Sequence, residues 1–107
     1  MSTNTPFQPK KGSNQKVTAT TTSAVITIGK GDTSIRALNA GAVVVYFRTY
    51  DSTNGAETAT NADTPIGPAG AASSVTLIFK PRNHDTLAYI ADSTTAVVHF
   101  QSGEGGF

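Results

Sequence analysis

A chain of 107 residues, 37% apolar and 14% charged, suits one domain that buries roughly 65% of its unfolded surface. The charged fraction lies well below the usual ~25%; threonine, serine, alanine and glycine fill the gap, a composition poor in surface-helix formers and suited to strands with hydroxyl-bearing outer faces. A formal net charge of +1 argues against a generally basic nucleic-acid binder, the absence of cysteine excludes disulfides and thiolate sites, and no apolar run reaches the ~18 residues of a membrane span.

Residues 1–15 are polar and punctuated by Pro6, Pro9 and Gly12, with Phe7 the only aromatic. Such a segment has too little apolar surface to offset its own ordering entropy. It reads either as a flexible N-terminal arm or as an arm that orders on a neighbouring subunit. In the second case Phe7 is the anchor and Lys10, Lys11 and Lys16 are electrostatic contacts. The first sixteen residues hold these three bases and no acid, whereas the rest of the chain is slightly acidic. No apolar signal-peptide core follows Met1, which implies cytosolic synthesis.

Residues 16–107 read as the folded body. Lys16 to Ile28 alternates threonine with small apolar residues, and Val25-Ile26-Thr27-Ile28 reads as a more buried strand. Gly29-Lys30-Gly31-Asp32 is a turn. Residues 35–39 and 42–49 then read as a hairpin about Asn39-Ala40-Gly41, a link able to supply positive φ. Its second arm is apolar without a break from Ala42 to Phe47, as expected of a central strand covered on both faces. Residues 50–62 form the longest connection of the body, longer than packing requires, a feature linked to function. Pro65 and Pro68 restrict residues 63–70 to an edge strand or extended loop. Strands follow at 75–79, 86–91 and 96–100. Seven or eight short strands at turn spacings near ten residues indicate an all-β, single antiparallel β-sandwich, jelly-roll or Ig-like.

The order Leu38-Asn39-Ala40-Gly41, Val44-Val45-Tyr46-Phe47, Asp63-Thr64-Pro65-Ile66, Pro68-Ala69-Gly70, Val75 to Phe79, Leu87 to Ala91, Ala96 to Phe100 and Gly103-Glu104-Gly105 resembles small virion proteins encoded among the head genes of tailed bacteriophages. The resemblance covers residues 35–106. It implies a capsid decoration (cement) or other minor head protein, partnered by the major capsid protein lattice, with no catalytic residue.

Chemistry-bearing residues are sparse. No Gly-x-Ser-x-Gly elbow accompanies His84, His99, Asp85 or Asp92, and two histidines without cysteine do not make a zinc set. Asp51 to Glu57 lacks the alternating carboxylates of a calcium loop. Lys10-Lys11 is too short for a nucleic-acid patch. Tyr46, Tyr50 and Tyr89 could line a sugar-binding face, without tryptophan to strengthen it. Taken with the resemblance, which implies the virion role, the expectation is a non-enzymatic virion protein on the capsid surface. It would have no cofactor, metal, nucleic-acid or membrane partner, and would act as a homo-oligomer, a trimer by preference. The alternative is a carbohydrate- or receptor-binding module of a phage fibre or tail. Contact residues would be Phe7, Lys10, Lys11 and Lys16 on the arm and Tyr50, Asp51, Asn54 and Glu57 on the long connection.

Overall fold

In the computed structural model, which describes residues 8, 9, 12 and 14–104, the threonine-, valine- and alanine-rich stretches pair as strands. In chain order these are β1 (Gln8–Pro9), β2 (Gln15–Ala19), β3 (Ala24–Thr27), β4 (Ser34–Asn39), β5 (Val45–Tyr50), β6 (Thr64–Ile66), β7 (Val75–Phe79), β8 (Thr86–Ala91) and β9 (Ala96–Glu104). Helix among the described residues is confined to single 3-10 turns at Ser52–Asn54 and Ala72–Ser74. The body is all-β.

Every pairing among the described residues is antiparallel. β2 pairs with β9, β3 with β8, β4 with β7 and β5 with β6. These are the rungs of one long hairpin folded at the β5–β6 connection. Rolling that hairpin up adds β4 against β9 and β5 against β8. Two sheets four strands wide result, β2-β9-β4-β7 (the first sheet) and β3-β8-β5-β6 (the second). Of the two sandwich types expected, this is the jelly-roll order. β1 continues the β2 edge along β9, with Gln8 opposite Glu104 and Pro9 opposite Gly103. Part of the segment read as an arm thus pairs within its own chain, and Gln15 is already the first residue of β2.

Inward-facing residues of the two sheets meet in one core. Ile35, Ala37, Val98 and Phe100 come from the first sheet; Val45, Phe47, Ile66, Leu87 and Tyr89 come from the second. Phe100 is the hub: its ring centroid lies 5.5 Å from that of Phe47 and 5.8 Å from that of Tyr89, both tilted, the arrangement aromatic quadrupoles favour.

The hairpin expected at residues 35–49 does not form, because β4 and β5 belong to opposite sheets. Asn39-Ala40-Gly41 is instead a corner between them. Buried Asn39 donates its Nδ2 to Val43 O at 2.7 Å and Ile66 O at 3.3 Å, and its Oδ1 accepts from Gly41 N at 2.8 Å. The backbone of the corner turns outward: Ala40 N donates to Val97 O, and Gly41 O accepts from Ala69 N, both at 2.8 Å. Gly41 does not have the positive φ of a hairpin turn. Glycine is needed for close approach, since a Cβ there would sit 2.4 Å from the Cβ of Ala96.

Two burial expectations are corrected as well. β5 starts at Val45 and is central in its sheet, but its burial alternates: Val45 and Phe47 are buried and Arg48 is exposed. The unbroken run before it, Ala42 to Val44, belongs to the corner. β3 is an edge strand, and Val25 is 52% exposed rather than part of a buried run.

Candidate functional site

The outer faces of the two sheets differ. On the second sheet, Tyr50, Ala88 and Ile90 alternate away from the core shared with the first sheet, and Arg48 stands opposite Ala88 in register. Ala88 is nonetheless fully buried, because the connection of residues 51–63 lies back over this face and sets Ala59 against Tyr50, Ala88 and Ile90 in a small second core. The expectation that this connection exceeds packing needs is therefore overturned: it covers its sheet.

Polar contacts hold the cover at both ends. The Asp85 carboxylate accepts from Ser52 N at 3.0 Å and from Ser52 Oγ at 2.7 Å, and these bonds hold its pKa at about 2. Asp51 accepts from the Thr53 hydroxyl at 2.7 Å and its amide at 3.0 Å, a local turn that keeps its carboxyl below the ordinary range. Farther along, Glu57 pairs with Arg48 at 2.9 Å, Ala59 N donates to Ser23 Oγ at 2.8 Å, and Thr60 N donates to the Asp63 carboxylate at 2.8 Å.

Where the cover ends it leaves a hollow of about 330 Å³. Tyr46, Ala59 and Ile90 supply apolar walls, and Thr60, Asn61 and Asp92 supply polar ones. Asp92 is exposed, and its side chain has no hydrogen-bond or ion-pair partner among the described residues.

The first sheet has no such cover among the described residues. Register places Phe79 beside Ser34, Leu77 beside Arg36 and Val75 beside Leu38 on its outward side. Phe79 is 65% exposed and Val75 44%. They stand on β7, whose far side is an open sheet edge. Arg36 is exposed and without an ion-pair partner among the described residues, and Lys16 lies farther across the same face opposite His99.

Of the contact residues expected from sequence, Phe7, Lys10 and Lys11 lie outside the described residues. Lys16 is exposed on the first sheet, Tyr50 is buried beneath the connection, and Asp51 and Glu57 are engaged as above. Asn54 stands exposed in the 3-10 turn. Tyr89 is in the core and Tyr46 in the hollow, so the three tyrosines do not form one face. His84 Nδ1 lies 2.9 Å from Thr49 Oγ1 and His99 Nδ1 lies 3.3 Å from Asn14 Nδ2. Asp85 engages Ser52 and Thr86 hydroxyls. Among the described residues no three histidine or carboxylate side chains converge as a metal site.

Sequence reading missed Lys80. The residue after β7 points inward and is fully buried, and its ammonium donates to His84 O at 2.8 Å, Pro81 O at 3.3 Å and Gly29 O at 3.4 Å. Burial pushes its pKa below the usual lysine value, and its role is to tie two end loops together. It also missed Phe79 and Asp92. The signal for Phe79 was present: Val75-Thr76-Leu77-Ile78-Phe79 is apolar in both phases of the strand, one phase more than a half-buried strand needs. Nothing local marked Asp92, which meets Asn61 and Tyr46 only through the roll of the chain. No family model, no curated protein and no solved structure matches this chain, and the functional reading therefore rests on the faces just described.

Proposed function

We propose that the protein is a structural virion component that binds an assembled phage head as a homo-oligomer and reinforces it by non-covalent contacts. The observation that carries this reading is the outer face of the first sheet, which has no cover among the described residues. There Val75, Leu77 and Phe79 line an open strand edge beside Arg36, in a chain whose other sheet carries its own cover. An apolar strip rimmed by a cation is the make-up of a protein-binding surface. The jelly roll agrees with a capsid role by analogy of fold, though lectin-type domains share it. The resemblance of residues 35–106 to small head proteins points the same way.

A protein that binds only the assembled lattice stabilises that lattice by mass action. A contact spanning two coat subunits exists only after assembly, and a second, simultaneous contact by residues 1–7 would raise affinity by roughly 10²–10⁴ through effective concentration. The test is co-sedimentation with purified empty shells, with soluble coat subunits as control. Binding to shells and not to free subunits is expected, weakened steeply by deleting residues 1–7. Equal binding to both would refute lattice recognition. Binding to neither would favour the carbohydrate- or receptor-binding alternative, for which the hollow offers Tyr46, Asn61 and Asp92.

A further inference from the structure

We propose that the protein assembles head to tail, with the Phe79 side chain of one copy seated in the Tyr46–Ile90 hollow of the next and Arg36 of the first copy set against Asp92 of the second. The inference rests on the homo-oligomer part of the function proposed above and not on capsid binding.

Each half of the contact is incomplete alone. Phe79 is the most exposed large apolar side chain among the described residues, and its neighbours along β7, Val75 and Leu77, extend the apolar strip. The hollow is walled by Tyr46, Ala59 and Ile90, with a volume of about 330 Å³, roomy enough for a phenyl ring. The charges match. Arg36 lies diagonally across the β4–β7 ladder from Phe79, since it pairs with Leu77 while Phe79 pairs with Ser34; diagonal neighbours are ~7–8 Å apart. Asp92 is a wall of the hollow itself. Neither charge has an ion-pair partner among the described residues of its own chain. A ring entering the hollow therefore brings the Arg36 cation of one copy to the Asp92 carboxylate of the next, and such complementarity sets register and partner choice.

The placement of the two halves fixes the kind of symmetry. Phe79 lies on the outer face of the first sheet, at the Ser34 end of β4. The hollow lies on the outer face of the second sheet, where Tyr46 opposes Ile90 near the start of β5, at the end of the sandwich that holds the Asn39 corner. Patches on opposite faces and opposite ends cannot both meet one partner across a two-fold axis. The contact is heterologous, and it closes into a ring or grows into a chain.

The experiment is sedimentation velocity of the full chain over a concentration series, with circular dichroism to verify folding. Phe79→Ser, at an exposed position, should leave the fold intact and weaken association by about thirtyfold or more, the loss typical of an interface hot spot. Arg36→Asp and Asp92→Arg should each weaken it, and the double charge swap should recover it. Mixing Phe79→Ser with Asp92→Arg tests the head-to-tail geometry directly: one variant keeps the hollow and the other keeps the knob. The mixture should form a one-to-one pair that does not grow. A wild-type chain that stays monomeric throughout, undiminished association of Phe79→Ser, or failure of the charge swap to rescue would each overturn the proposal. Because no shell is present, these failures are separate from failure of capsid binding.

Discussion

Tyr50 and Phe79 are both large aromatic side chains that point away from the main core, and the chain treats them oppositely. Tyr50 is 5% exposed under residues 51–63, whereas Phe79 is 65% exposed on an edge strand. One outer face is closed by thirteen residues of connection and a set of polar ties; the other carries apolar side chains and has no such cover among the described residues. Covering an outward aromatic costs chain length and ordering entropy. Among the described residues the chain does this on one sheet only, and we assign the other face to a partner.

Substitution at the two positions gives the largest contrast. Tyr50→Ala should cost about 3 kcal/mol in unfolding free energy, as buried aromatic truncations do. Phe79→Ala should stay within about 0.5 kcal/mol for the monomer, and chemical denaturation checks both. Equal losses would erase the distinction between the faces. The corner that separates the sheets comes next. Asn39→Ala should destabilise by about 2 kcal/mol, because it strips partners from two carbonyls and one amide in a buried place; retained stability would mean that water replaces the amide.

The cover should loosen in acid before the body does. The Asp85 pKa is depressed in the folded protein, so its contribution is full above the ordinary aspartate value of about 3.9 and is lost as pH falls through about 2. Amide exchange at Ser52 should rise over that window relative to β9. An unchanged ratio would show that Ser52 does not depend on the carboxylate. A smaller effect is expected for Arg48→Ala, which removes an exposed ion pair to Glu57 and should cost no more than about 0.5 kcal/mol, less at high salt. Smallest of all, EDTA should leave the melting temperature unchanged, since Asp51 and Glu57 already have partners on the chain. A clear drop would reveal a cation in the cover.

The strands were legible where alternation or a breaker fixed them. Pro65 and Pro68 restricted residues 63–70 to an edge strand or an extended loop, and β6 is an edge strand; the apolar runs of β7, β8 and the first half of β9 were read within a residue or two. Pairing was less legible. Asn39-Ala40-Gly41 carries the composition of a hairpin turn, and only the approach of Ala96, distant in sequence, shows why glycine is required. Val25 reads as buried because valine favours strands, yet its strand is at an edge. The connection of residues 51–63 was noticed for its length, but its function as a cover depends on small Ala59 fitting above Ala88, which composition does not signal. The hollow gathers Tyr46, Asn61 and Asp92 from three separate stretches, so only the rolled hairpin brings it together.

Hydroxyl-radical footprinting of the dilute protein and of the protein bound to empty shells tests most directly whether the outer face of the first sheet is the one used. Phe79 and Leu77 should be labelled in the dilute state and protected in the bound state, while Tyr50 stays protected in both. Undiminished labelling of Phe79 on the shell, with protection appearing elsewhere, would contradict the account.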